Sequence, residues 1–320
     1  MRFVVLLWLG SVAAAAHGEE PLSLSQAIQL VGPSVVAIQC VFDHLPEQTQ
    51  AALHAPFYRW VCGSGFIVND EGYVLTALHV VEGFETTTTT ITIPQGEKAN
   101  TYPLGVGRLV AGMALHVDSP RLQIRESTTD IQMTVVDRDK KHDVALLKMV
   151  RSPFRNVGDP PLVITRTERV NSPVPSVVIF DVARPAEGEA IAISGFPLYG
   201  LAMKTNSGTV ASSWETDKRQ SGLQRGSVDS YVTDVHANQG DSGGPVYSVT
   251  TGAVIGLCDS FTTALVSVRD QDHAPATLDG KELEYNSGLA NVIPAKYLVQ
   301  LLDKNHVRWF PHTGDRDRGF

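Results

Sequence analysis

Asn238-Gln239-Gly240-Asp241-Ser242-Gly243-Gly244-Pro245-Val246 sets one serine among glycines, on a turn that feeds an apolar strand beginning at Val246. Glycine on both sides permits backbone conformations that a Cβ forbids and lets a substrate chain approach. A serine hydroxyl is a weak nucleophile, so such a site needs a general base and donors for a developing oxyanion. The amides of Gly240 and Ser242, two residues apart, are the candidate donors. The plain alternative is a glycine-rich hairpin turn, a common use of this composition. The rest of the chain separates the two.

Around that stretch lie 320 residues, 43% hydrophobic and 19% charged, a globular composition with room for one large β domain or two smaller units. Its 27 glycines and 18 prolines, with 7% aromatics, point to many turns rather than long helices. A formal net charge of −8 argues against a general binder of nucleic acid or anionic membranes. At the N-terminus, Arg2, the apolar run Phe3 to Gly10 and the small residues Ala13 to Ala16 read as a secretory signal. Cleavage after Ala16 or shortly beyond gives a start near His17 or Glu19, and an uncleaved anchor is the alternative. The expectation is an exported protein, periplasmic or secreted, with no membrane span once the signal is removed. Cys40, Cys62 and Cys258 are spaced too widely for a zinc knuckle, so neither a metal nor another cofactor is expected. Cys40 and Cys62 either bridge in an oxidising compartment or pack as small hydrophobes, and both readings stand.

Along the chain, Ala27, Ile28, Leu30 and Val31 give a helical stripe capped by Ser23 or Ser25, and Val35 to Val41 reads as a strand. Residues 43–59 read as a loop. Val61 to Val68, Asn69-Asp70-Glu71-Gly72 and Tyr73 to Thr76 form a hairpin signal, and Ala77-Leu78-His79-Val80-Val81 follows directly. Residues 82–130 read as irregular; Ile131 to Val136 and Val144 to Met149 are strands, with Asp143 opening the second. Five prolines across 151–175 mark a connector between halves. The second half repeats the β pattern over Val177 to Phe180, Ala190 to Ser194, Gly208 to Ser212, Ser230 to Val235, Val246 to Val249, Val254 to Cys258 and Leu289 to Ile293. Leu298, Leu301 and Leu302 then stripe a closing helix over Ala295 to Lys304. Many short strands with turns predict antiparallel barrels or sandwiches.

A lone histidine in an apolar run is usually a core residue, and an acid at a strand start usually a turn residue. Three local frames taken together change that. Leu75-Thr76-Ala77-Leu78-His79, Asp143-Val144-Ala145-Leu146-Leu147-Lys148 and Gly240-Asp241-Ser242-Gly243-Gly244-Pro245 present His, Asp and Ser in the chain order of chymotrypsin-like proteases. With Val31 to Val36, Gly63 to Val68, Ile193 to Leu198, Ser207 to Val210 and Thr233-Asp234, the chain from about Ala27 to Leu302 resembles a trypsin-like serine endopeptidase of the HtrA/Deg branch.

The resemblance implies an all-β fold of two perpendicular six-stranded antiparallel β barrels with a C-terminal helix and the active site in the cleft between them. The expected organisation is a signal peptide at 1–18, then a first barrel over 19–165 with an N-terminal helix and a long 82–130 loop. A second barrel with the C-terminal helix spans 166–304, and a tail spans 305–320. His79, Asp143 and Ser242 would be the catalytic triad, and the Gly240 and Ser242 amides the oxyanion hole. The substrate pocket would be walled by His236, Ala237, Asp259, Ser260, Phe261, Gly288 and Ala290. His236 stands where an acid would give trypsin its basic preference, so a small aliphatic or an acidic side chain is the expected guest. The implied partner is a protein or peptide substrate; nucleic acid is not expected, and the branch often forms homo-oligomers.

Departures limit the transfer. No cysteine adjoins His79, and no Ile/Val-Val-Gly-Gly segment after a basic residue offers Asp241 a new N-terminus, so zymogen activation by that route is not implied. PDZ domains usual at the C-terminus of the branch are not expected here. Gly240 to Gly244 also satisfies the nucleophile elbow of α/β-hydrolases, with Asp259 or Asp270 and His273 as nominal partners. That fold needs a helix after the serine, and Pro245 with an apolar strand follows instead. A binding or scaffold protein on a protease fold is the other alternative, since fold does not confer activity.

Overall fold

A computed structural model of the chain describes residues 20–83, 89–95, 98–116, 126–151, 177–200, 202–214, 230–267, 276–278 and 281–312. The signal segment and nearly all of the proline-rich connector lie outside these residues. The first barrel closes from β1 (Val35–Phe42), β2 (Tyr58–Ile67), β3 (Tyr73–Ala77), β6 (Arg108–His116), β7 (Glu126–Asp139) and β8 (Val144–Met149). A hairpin of β4 (Thr89–Gln95) and β5 (Lys98–Gly105) stands outside it. β9 (Ala190–Gly195), β10 (Lys204–Trp214), β11 (Ser230–Thr233), β12 (Pro245–Ser248), β13 (Val254–Leu265) and β16 (Glu284–Pro294) close the second. A small hairpin of β14 (Thr277–Leu278) and β15 (Lys281–Glu282) fills the interval before β16. All ladders within both barrels are antiparallel, and closure removes the free edges that an open sheet would expose.

β1 is β-branched and aliphatic along most of its length, and all eight of its residues are buried. It pairs with β2 across a bulge: Ile38 faces Gly63 and Gln39 faces Val61, leaving Cys62 as the extra residue. The first-barrel core continues without a break into the second through Phe66, Phe180, Phe196, Tyr247 and Leu257, and against Leu298 and Leu302 of α4 (Ala295–Lys304). A satellite cluster of Cys40, Phe42, Leu45 and Leu104 lies to one side.

The segments nearest each end of the described residues reach the barrel remote from them in sequence. The helix α1 (Leu24–Val31), capped by Ser23 in a reciprocal box with Gln26, precedes the first barrel. Yet the Leu22 amide donates to Thr250 O, and Leu30 and Met203 crowd Gly252 and Gly32 respectively. At the other end, Asn69 Nδ2 donates to Arg308 O (2.9 Å), and Asn305 Nδ2 and Lys304 Nζ both bond Asp137 Oδ2 at 2.8 Å. Tyr297 of α4 stacks on His142 with ring centroids 3.8 Å apart.

Several local expectations need correction. Residues 43–59 are not merely a loop: Pro46 starts α2 (Glu47–Leu53), whose Thr49 hydroxyl reaches Pro103 O at 2.6 Å, and β2 already begins at Tyr58. The 82–130 stretch holds the outer hairpin, the start of β7 and the barrel strand β6. Leu109, Val110 and Ala111 are all fully buried there, which hides the alternation that marks a half-exposed strand. Val177 to Phe180 is no strand; only Phe180 forms bridges, to Val254 and Pro311. The segment after α4 is docked through His312, whose amide donates to Phe180 O. Cys40, Cys62 and Cys258 are free thiols. Burial raises the Cys62 thiol well above its ordinary range, with Cys40 adding to the effect. Among the described residues no helix is long and apolar enough to cross a membrane.

Because Phe66 is fully buried where the two barrels share a core, and packs 6.3 Å from Phe180, truncation leaves a cavity that neither barrel can close alone. Phe66→Ala is expected to cost about 3–5 kcal/mol, read from the urea midpoint at constant slope.

Candidate active site

β3 is buried up to Ala77 and turns directly into the short helix α3 (Leu78–Val81), which delivers His79 to the seam between the barrels. The turn between β7 and β8 comes to meet it. Asp143 sits there in the left-handed region at φ 57, a conformation that Asp tolerates better than most residues. Its carbonyl accepts from Leu78 N (2.9 Å), its Oδ1 from His79 N (3.0 Å), and its Oδ2 lies 2.5 Å from His79 Nδ1. Three bonds from one aspartate fix the imidazole. They commit Nδ1 as the donor and leave Nε2 as the basic nitrogen, while about half of the histidine side chain stays exposed. The Asp143 hydrogen bond raises the His79 pKa above its ordinary value, the charges of Asp143, Asp259 and Glu82 add to that, and burial opposes it.

The serine arrives from the second barrel. Ser64 N donates to Ser242 O (2.8 Å), and Gly243 N to Cys258 O (2.7 Å), so the turn is pinned to β2 and to β13. Gly243 has φ +87, and a Cβ there would lie 2.1 Å from Ser64 O and 2.3 Å from Thr76 Oγ1; only glycine fits. Gly240 has φ +100, and its carbonyl accepts the Ser64 hydroxyl at 2.6 Å. Within the turn the amides of Asp241, Gly243 and Gly244 all donate to main-chain oxygens. Among the described residues, those of Gly240 and Ser242 find no protein acceptor. The Ser242 hydroxyl donates to Asp259 O at 2.8 Å. It therefore rests on the main chain of β13 rather than on the imidazole.

The residues expected to wall a pocket divide. His236 is exposed and faces Gly288, whose added Cβ would come 3.8 Å from His236 Nδ1; Ser260 and Phe261 are half-buried. Ala237 and Ala290 lie inside the second-barrel core. Asn286, which the sequence reading passed over, donates to Ala237 O (2.6 Å) and accepts from Gly288 N (2.9 Å), tying the two pocket segments together. Ser64 was also missed as a site residue. Its signal was a hydroxyl between glycines in an otherwise apolar strand, a group that needs partners once buried. Asp259 has its carboxyl close to Asp143 and His79.

Comparison with known proteins follows the same lines. Residues 63–257 match the family described as the trypsin-like peptidase domain. Serine protease HTRA1 of Xenopus laevis is 27% identical over 244 residues, covering 76% of this chain and 39% of that protein. A probable periplasmic serine endoprotease, DegP-like, of Halomonas elongata is 26% identical over 225 residues, 69% of this chain and 34% of its own length. The chain thus spans well under half of these relatives. The HtrA-type protease AlgW, solved with a decapeptide, shares the fold at TM-score 0.51 and 18% identity, over 88% of this chain and 67% of its own.

Asp241, buried behind the serine, has its carboxyl pushed up to about 6 by burial, against the pull of the Asn238 amide, Lys204 and His236. A carboxyl raised above its ordinary 3.8 binds its proton more tightly folded than unfolded. Its contribution is fully present below about pH 4 and is lost as pH rises through about 6. Asp241→Asn cannot titrate, so its unfolding free energy should gain on the wild type by up to about 3 kcal/mol between about pH 3.5 and 7. Parallel urea midpoints across that range would remove burial of this carboxylate from the account.

Proposed function

The chain belongs to the trypsin-like peptidase family, and from that premise we propose that it is a serine endopeptidase in which Ser242, His79 and Asp143 hydrolyse peptide bonds through an acyl-enzyme. The observation that carries this reading is the pair of Gly240 and Ser242 amides that, among the described residues, have no protein acceptor beside the serine, together with an imidazole locked by Asp143. Free donors flanking a nucleophile are what a tetrahedral oxyanion needs, each worth roughly 3 kcal/mol in the transition state.

In the proposed sequence Ser242 leaves Asp259 O, rotates toward His79 Nε2 and gives up its proton as it attacks the scissile carbonyl. His79 then protonates the departing amine, and the same nitrogen activates water to release the acyl group. Asp143 holds the tautomer and stabilises the imidazolium. We further propose that His236, Ser260, Phe261 and Gly288 form the pocket mouth, with the Ala237 carbonyl and Gly288 aligned through Asn286. Export is proposed from the segment at residues 1–18 together with the periplasmic assignment carried by the Halomonas relative's name. A homo-oligomer acting on exported or unfolded proteins is part of the same proposal.

Purified protein should cleave unfolded casein, and Ser242→Ala should lose on the order of 10⁶ in turnover. Equal cleavage by both proteins would dismiss the reading. An organophosphonate should label Ser242 in the wild type and fail to label His79→Ala. Since the imidazole must be neutral to accept the serine proton and its pKa lies above the ordinary 6.5, kcat/KM should fall about tenfold per pH unit below that pKa.

A further inference from the structure

Leu198 combines two features that rarely coincide. It is a bulky residue in the left-handed region, at φ 57 and ψ 33, and it is 65% exposed. Residues with a Cβ seldom adopt that backbone, and leucine has no polar side chain to form the local hydrogen bond that helps asparagine there. Glycine or asparagine would hold the same turn at lower cost and would leave no apolar surface in water. An unfavourable backbone kept beneath an exposed apolar side chain is better explained by contact with a ligand than by packing.

The turn that carries Leu198 is fixed against the serine turn. Phe196 N donates to Ser64 Oγ (2.8 Å), Leu198 N to Gln239 O (2.6 Å) and Gly200 N to Pro197 O (3.2 Å). A Cβ added to Gly240 would lie 2.4 Å from Phe196 O and 3.3 Å from Leu198 N, so the two backbones are in direct contact. Leu198 therefore stands beside one of the proposed oxyanion donors. The run from His236 to Gly240 is held at both ends. At its start, Asn286 holds the Ala237 carbonyl and His236 faces Gly288, at the proposed pocket mouth. At its other end, Leu198 holds the Gln239 carbonyl.

We propose that Leu198 is a specificity-determining residue that contacts an apolar side chain on the leaving-group side of the scissile bond, in the first or second residue after it. The inference rests on the proposed serine chemistry, which sets where the bond is cut. A peptide whose scissile carbonyl reaches the Gly240 and Ser242 amides places the side chain of that residue in the mouth at His236. Its chain then runs on past Gly240 toward Leu198. Leucine, isoleucine or phenylalanine arriving there covers the exposed leucine and removes apolar surface from water on both partners. A small or charged residue gains nothing from the contact. Because backbone bonds already fix the turn, the enzyme gives up little freedom when the peptide docks.

Internally quenched peptides with leucine or serine at each of the two positions after the cut provide the test. The wild type should favour leucine at one of them. Leu198→Asn tolerates the left-handed backbone but lacks the apolar surface, and should lower the leucine-to-serine ratio of kcat/KM about tenfold. Its urea midpoint should stay level or rise, because the backbone cost is relieved. Leu198→Met should keep the preference. An unchanged ratio in Leu198→Asn would overturn the proposal. Equal losses for both peptides with a lower midpoint would also overturn it, since Leu198 would then serve the turn alone. The same peptides titrated against Ser242→Ala by fluorescence anisotropy need no turnover, and adding Leu198→Asn should cut the affinity advantage of leucine about tenfold. If the wild type cleaves no peptide, the peptidase reading falls, and this binding ratio still decides the Leu198 contact. A leucine advantage that the substitution leaves intact, or no advantage at all, would overturn it.

Discussion

Ser64 bonds across the seam in both directions: its amide donates to Ser242 O and its hydroxyl to Gly240 O, while its own carbonyl accepts from Thr76 Oγ1. The same hydroxyl accepts from Phe196 N at 2.8 Å. One fully buried side chain therefore fixes the serine turn of the second barrel against β2 and β3 of the first. Buried polar groups are costly unless paired, so this network has one low-energy arrangement rather than many. Gly243 completes the constraint, because the contact distances leave no room for a Cβ. Everything proposed for the site depends on that seam, since His79 and Asp143 hang on one side of it and Ser242 on the other.

The charge balance around the imidazole is the second organising feature. Asp143, Asp259 and Glu82 all favour the protonated ring, whereas the proposed chemistry requires the neutral one. The opposing influence is burial. An acid placed next to an acid is a poor choice for stability and a useful one for setting a pKa.

Much of this was legible in the residues, and for identifiable reasons. His79, Asp143 and the Ser242 turn each stand in a short frame whose glycines, apolar neighbours and order are distinctive, so their candidacy was readable without coordinates, and the fold bonds His79 to Asp143. Strand β6 was not readable, since complete burial of Leu109, Val110 and Ala111 erases the period-two pattern. The docked segment after α4 carries no pattern at all; its placement depends on Phe180, Trp309 and Asn69, which meet only in the fold. Asp259 was placed in the pocket wall by resemblance, which carries a position along the chain and not the direction of a side chain; its carboxyl lies close to Asp143 and His79. Asn286 had no signal beyond being polar near a glycine, and its role comes from carbonyls that the folded backbone turns toward it.

The crossed straps around residues 22–32 and 304–308 have a consequence for how the molecule comes apart. α1 leads into the first barrel yet lies on the second, and the segment from Lys304 to Arg308 leaves the second barrel yet grips Asp137 and Asn69 of the first. Each barrel is thus completed by chain that belongs in sequence to the other. Neither can reach its full burial as an isolated half, and separation of the barrels demands that both straps release. Opening at the seam therefore also breaks contacts that each strap makes with the barrel remote from it in sequence.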